Sequence, residues 1–240
     1  MNRHIVESYD SELAALKKTL LEMGSMTEEQ LDKALTAVIR ADEALALRIV
    51  DRDHEIDERE RAAQTAAVKL LALRQPMASD LRDVVTAIKM SADLERIADL
   101  AKGIARRAPL FKSAAPQAPL RRLRGMVRQV RGQLRDALRA YAEADSALAE
   151  RVWRRDREVD DWHSSLFRET LTYMMEDPRM IGTCTHVLFM AKNVERMGDR
   201  CASIAGQVYY AIHGSALPDD RPKGEDISTI SLEPPKSGTA

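Results

Sequence analysis

Apolar residues along this chain recur at helical spacing. Ile49, Ile56, Ala63 and Leu70 fall every seven residues, with Leu45 and Leu73 on the same side, and Val152, Val159, Leu166 and Tyr173 repeat the pattern. Such spacing predicts helices packed antiparallel through narrow apolar seams. A further run precedes each of these: Leu13, Leu16, Leu20, Leu31, Leu35 and Val38 in the first case, Leu123, Val127, Val130, Leu134 and Leu138 in the second. Asp42 and Asp145 stand where N-caps belong, each carboxylate placed to accept a first-turn amide hydrogen bond. Pro76 and Pro178 mark the break before a third helix, with Asp177-Pro178 reading as N-cap followed by N1. Gly24-Ser25 suggests a kink in the first helix. The expected helices cover roughly 4–40, 42–74, 77–107, 119–142, 145–176 and 178–213, and a helix of about 30 residues is about 45 Å long.

The pattern is duplicated. Ala41-Asp42-Glu43-Ala44-Leu45-Ala46 returns as Ala144-Asp145-Ser146-Ala147-Leu148-Ala149, and Asp53-His54-Glu55-Ile56-Asp57 as Asp156-Arg157-Glu158-Val159-Asp160. Leu94-Glu95-Arg96-Ile97-Ala98-Asp99 returns as Val194-Glu195-Arg196-Met197-Gly198-Asp199. The expected architecture is all-α: two tandem three-helix bundles, six long helices in all, related by an internal repeat of about 100 residues. The first bundle takes 1–108, a proline-containing linker 109–118 and the second bundle 119–213; residues 214–240 have no periodic apolar face and read as a disordered tail.

Composition narrows the class. With 45% hydrophobic but only 4% aromatic residues, an all-β sandwich or barrel is disfavoured. Lys+Arg 37 against Asp+Glu 38 leaves a net charge of −1, which argues against a dedicated nucleic-acid binder. The first residues lack a continuous apolar run, and no stretch approaches the ~18 apolar residues of a membrane span. Cys184 and Cys201 have neither C-x-x-C spacing nor the density of a disulfide scaffold. These features lead us to expect a soluble cytoplasmic protein.

Candidate chemistry comes from carboxylates. Leu81, Val85, Ile88 and Ala92 advance in steps of four and three, and the same steps lead to Glu95 and Asp99. Glu195 and Asp199 follow Ile181, Cys184 and Leu188 in the same way. A core seam that runs into carboxylates needs a compensating partner, because burying an ionised carboxylate costs several kcal/mol. Asp53 with Asp57 and Asp156 with Asp160 form second acidic pairs on the middle helices. Together the four pairs could supply oxygen-rich cages for hard or borderline cations such as Fe, Mn, Mg or Ca, though not for a structural zinc of the Cys/His kind. The alternative is ion pairing within the motif, through Arg96 and Arg196. His54 and His163 do not align between the repeats and read as surface residues. No Glu-x-x-His occurs, which weakens a di-iron oxidase reading.

The duplicated six-helix plan, the Asp-x-x-x-Asp and Glu-Arg-x-x-Asp pairs and the stretch Gln75-Pro76-Met77-Ala78-Ser79-Asp80-Leu81-Arg82 resemble the PhoU family, over about residues 5–213. Members of that family are regulators associated with the bacterial high-affinity phosphate transporter. The resemblance implies a pair of three-helix bundles holding metal clusters, iron or zinc in relatives, with manganese or magnesium not excluded. Glu95, Asp99, Glu195 and Asp199 would be the ligands, joined by Asp53, Asp57, Asp156 and Asp160. Asp93 is replaced by Asn193 in the second repeat, so the two sites would differ in charge. The resemblance also implies action without catalysis: repression of the phosphate-starvation response through a membrane sensor histidine kinase and the ATPase subunit of the phosphate ABC transporter. A homodimer is expected. The competing readings are a carboxylate-bridged metal enzyme on a helical bundle and a metal-free helical scaffold.

A last feature is basic. Arg121, Arg124, Arg128, Arg131, Arg135 and Arg139 form a ridge opposite Leu123, Val127, Val130 and Leu134. It is either a solvated face balanced by acids on neighbouring helices or a docking surface for an acidic partner or anionic lipid headgroups, the latter allowing peripheral membrane association.

Overall fold

The computed structural model describes residues 2–74, 76–112 and 115–218, and the sequence beyond 218, where most of the expected disordered tail falls, lies outside the described residues. Among the described residues there is helix and no strand. The first repeat comprises α1 (Asn2–Arg40), α2 (Glu43–Arg52), α3 (His54–Arg74) and α4 (Ser79–Ala105). The second comprises α5 (Gln117–Glu143), α6 (Ser146–Arg154), α7 (Asp156–Glu176) and α8 (Ile181–His213). Short 3-10 turns at Ala108–Phe111 and Pro178–Met180 complete the set.

The three-arm plan of each repeat holds, but each middle arm is broken. The helix expected over 42–74 divides at Asp53, and the one expected over 145–176 divides at Arg155. A buried glutamine of the preceding arm holds each break. Gln30 Nε2 donates to Asp53 Oδ1 (2.7 Å) and to the Ala98 carbonyl (3.0 Å). Its counterpart Gln133 donates to the Arg155 carbonyl (2.9 Å), supplying a partner to a backbone oxygen at the interruption.

The turns into these arms follow the sequence. α1 and α5 end at Ala41 and Ala144, both at positive φ, with the Asp42 and Asp145 amides reaching back to the Ala37 and Ala140 carbonyls. This is the Schellman arrangement, with alanine where glycine is usual. Asp42 and Asp145 then cap the next helices, accepting from the Leu45 and Leu148 amides at 2.8 and 2.9 Å. α1 runs unbroken through Gly24, where a kink was expected. Glycine lets Leu138 of α5 approach closely: a Cβ would stand 2.4 Å from its Cδ2, and the leucine would have to move aside.

One contiguous apolar core fills both bundles and includes Ile49, Ile56, Ala63, Leu70, Val152, Val159 and Leu166 of the predicted seams. Leu73 is exposed, because it lies in the last turn of α3, beyond the packed stretch. α4 and α8 share the largest helix–helix interface and join the repeats, with α1 against α5 beside them. This placement shifts the core face of α4, and of α8 apart from Cys184, which is buried as expected. Leu81 is 41% and Ile181 49% exposed, and Ala92 is also exposed. The buried line is instead Val84, Ala87, Met90, Leu94, Ile97 and Ala101 in α4, and Cys184, Val187, Met190, Val194, Met197 and Cys201 in α8. A helix gripped from two bundles buries the stripe between them, one position away from the seam read from sequence. Glu95 and Asp99 therefore stand at the margin of the core.

Candidate functional site

At that margin the carboxylates of neighbouring arms lie near enough to influence one another. In the first repeat, burial raises the Glu95 carboxyl above its ordinary range, and Glu60, Asp99 and Asp57 raise it further. The middle arm thus contributes Asp57 and Glu60 and the third arm Glu95 and Asp99, the i,i+3 and i,i+4 spacings putting each pair on one helix face. In the second repeat, burial likewise raises Glu195, with Asp199 and Asp160 adding to the effect and Lys192 opposing it. The position of Glu60 is taken there by His163, which is 6% exposed and not on the surface as expected. Its register on α7 turns it inward beside Ser164 and Leu166. Burial, with Lys192, holds its pKa below the usual histidine value, so the ring is neutral at neutral pH, while Asp160 works the other way.

The compensating cations are lysines, and they are not duplicated. Lys102 bridges Asp53 (2.5 Å) and Asp99 (2.7 Å). Burial opposes its charge, but the two carboxylates hold its pKa above the usual lysine range. Lys192 pairs with Glu195 at 2.8 Å. Alanine occupies the matching position in the other repeat in each case, Ala202 and Ala92. Arg96 reaches Asp99 only at 3.9 Å. The acid–arginine pairing considered from sequence is therefore the weaker contact. Asp53 is buried and committed to Gln30 and Lys102. Asp156 is buried deeper than Asp160 and lies near Cys201, whose thiol is pushed up by burial and by Asp156 and Asp93.

The donor chemistry of Asp57, Glu60, Glu95 and Asp99, and of Asp160, His163, Glu195 and Asp199, fits a hard or borderline cation. These are oxygen donors, with one neutral imidazole, and in each repeat burial, together with the neighbouring carboxylates, raises the pKa of the central glutamate. Among the described residues no three Asp, Glu, His or Cys side chains converge at ligating distance as they stand. A cation would have to draw the rotamers inward.

Asp93, which the resemblance placed beside the ligand sites, is engaged between the repeats. It points into the inter-repeat interface, where it accepts from Arg200 Nη1 (3.2 Å), Ser203 Oγ (2.8 Å) and Gln207 Nε2 (2.8 Å) of α8. The counterpart of Arg200 is Leu100, so Asn193 has no cation to meet and the Asp/Asn difference follows the Arg/Leu difference. Sequence reasoning missed Gln30, Gln133, Lys102, Lys192 and Arg200. The offset between Gln30 and Gln133 was the available signal for two of them.

The arginine ridge divides in two. Arg131 pairs with Asp32 and, at 3.6 Å, with Glu28 of α1; Arg135 pairs with Glu28 and Arg139 with Asp136. Arg121, Arg124 and Arg128 are exposed and form no ion pair among the described residues. No described helix is long and apolar enough to cross a membrane.

A model of one family, described as the PhoU domain, matches residues 20–108 and again 123–208. A phosphate-specific transport system accessory protein PhoU homolog of Caulobacter vibrioides is 43% identical over 95% of this chain and its own whole length. The Escherichia coli K12 protein of that name is 38% identical over 89% of each chain. Among solved structures, PhoU from Pseudomonas aeruginosa superposes with a TM-score of 0.80 at 36% identity, covering 86% of this chain and all of that one. The phosphate transport system regulatory protein PhoU from Streptococcus pneumoniae gives the same TM-score at 29% identity, over 88% of this chain and 99% of that one.

Proposed function

The chain belongs to the PhoU family, and on that premise we propose that it is a non-enzymatic regulator of phosphate uptake and phosphate-starvation signalling. In this reading it represses the phosphate regulon when phosphate is plentiful, linking the ATPase subunit of a phosphate ABC transporter to a membrane sensor histidine kinase from the cytoplasmic side. The observation that carries it is coverage: both repeats, not one, align with relatives named as accessory proteins of phosphate transport. Metal ions belong to the same proposal. Asp57, Glu60, Glu95 and Asp99 would hold a cation in the first repeat, and Asp160, His163, Glu195 and Asp199 in the second. A bound cation would add positive charge to that which Lys102 and Lys192 already bring to Asp99 and Glu195. Arg121, Arg124 and Arg128 are the surface we assign to an acidic patch on the membrane-bound partner, with charge complementarity as the support, and the protein is taken to act as a homodimer.

The direct test of the linkage is co-purification. The full chain, immobilised, is expected to retain the ATPase subunit and the cytoplasmic region of the kinase from the same organism. Retention of neither, with the chain folded by circular dichroism, would refute the linking role.

A further inference from the structure

α4 and α8 cross antiparallel: Arg82 Nε donates to the Ala211 carbonyl (3.0 Å), Thr86 Oγ1 to the Gln207 carbonyl (3.4 Å), and a Cβ at Gly103 would meet Asn193 at 3.3 Å. Because α8 repeats α4 at an offset of about 100, this crossing is a pseudo-twofold that passes near Ala98 and Gly198. A cleft of about 290 Å³ sits on it, lined by Arg96, Asp99 and Leu100 from one repeat and Arg196, Asp199 and Arg200 from the other. The two Glu-Arg-x-x-Asp motifs thus face one space, with symmetry broken in the lining where Leu100 becomes Arg200 and beside it where Lys102, 2.7 Å from Asp99, is matched by Ala202.

Three guanidinium groups border this cleft with most of their N–H donors uncommitted. Arg196 forms no ion pair among the described residues, Arg96 has the 3.9 Å contact with Asp99, and Arg200 spends one nitrogen on Asp93. Planar guanidinium forks suit the oxygens of a tetrahedral oxyanion. The two aspartates look adverse, yet they define the ligand more narrowly. A carboxylate repels a fully ionised anion but accepts a hydrogen bond from one that keeps a proton. At neutral pH inorganic phosphate keeps at least one proton and sulfate keeps none.

We propose that this pseudo-twofold cleft binds inorganic phosphate, its oxygens accepting from Arg96, Arg196 and Arg200 and its proton donated to Asp99 or Asp199. The binding stands on the cleft alone. That it reports phosphate to the transport system rests on the regulator reading, which fails separately, in cells.

Calorimetric titration of the full chain as purified, repeated after chelation of metal, reads the site with inorganic phosphate as the probe. We expect saturable binding of one phosphate per chain, at least tenfold weaker in Arg96→Gln/Arg196→Gln, and sulfate at least tenfold weaker than phosphate. Asp199→Asn should narrow that gap, since an amide can donate to sulfate where a carboxylate repels it. Absence of phosphate binding at millimolar concentration, equal affinity for sulfate, or unchanged affinity in the arginine variant would overturn the proposal. Should the double variant fail to fold, Arg196→Gln alone decides, because that exposed side chain carries no ion pair.

Discussion

Replacing Asp93 by asparagine gives both repeats the same residue at this position and should weaken the joint between them. The Asp93 carboxylate is 8% exposed and accepts three hydrogen bonds from α8. A hydrogen bond to a charged group contributes about 1.5–3 kcal/mol, but the three do not add. Arg200 is 47% exposed, so water screens its share. Gln207 and Ser203 also keep their mutual bond at 3.0 Å when the carboxylate is lost. We therefore expect Asp93→Asn to cost about 1–2 kcal/mol and Asp93→Ala about 2–3 kcal/mol. For a chain of this size that lowers the melting temperature by about 2–4 °C per kcal/mol. Thermal and urea unfolding followed by far-ultraviolet circular dichroism would measure it. Arg200→Leu, which copies Leu100, should be non-additive with Asp93→Asn, because each removes the same pair. Asn193→Asp should not stabilise, since Leu100 offers it no cation. A loss under about 0.5 kcal/mol for Asp93→Asn, the range of ordinary surface changes, or strict additivity with Arg200→Leu, would refute the reasoning.

Elemental analysis of protein purified from cells should find metal in the wild type, less in Glu95→Ala/Asp99→Ala and less in Glu195→Ala/Asp199→Ala. Equal content in all three would leave the carboxylates as a metal-free surface. Gly198→Ala should destabilise by about 1–2 kcal/mol, since a Cβ there would sit 3.0 Å from Cγ1 of the stiff Val159 side chain, while Ala98 is tolerated at the matching place in the first repeat. An unchanged melting curve would show that α7 can shift. Reversing charge at Arg124 and Arg128 should leave stability intact and weaken partner retention in pull-downs. Arg131→Glu, which sets a third acid beside Glu28 and Asp32, should lower stability by about 1 kcal/mol. Identical retention by wild type and the Arg124/Arg128 variant would remove the ridge from recognition.

Period and duplication were enough to read the arms, their caps and the repeat, because Asp42, Asp145 and the seven-residue apolar spacing act locally. The break at Asp53 was not legible: nothing in its own helix shows that Gln30, on another arm, will take its side chain. The same limit explains the displaced seam of α4. Its apolar residues occupy more than one face, and which face is core depends on α8, which periodicity within one helix cannot reveal. Glu95 and Asp99 were found by their register, yet Glu60 and His163 were passed over because the two repeats use different residues there. Asp93 entered the candidate set through the family resemblance, and that gave no sign of its bonds to Arg200, Ser203 and Gln207 on another helix.

What cells do without the protein tests the regulatory role most directly. In a strain lacking it, transcription of phosphate-starvation genes should be constitutive with phosphate plentiful and return to repression when the full chain is supplied. Normal repression in the deletion strain would contradict the assigned role.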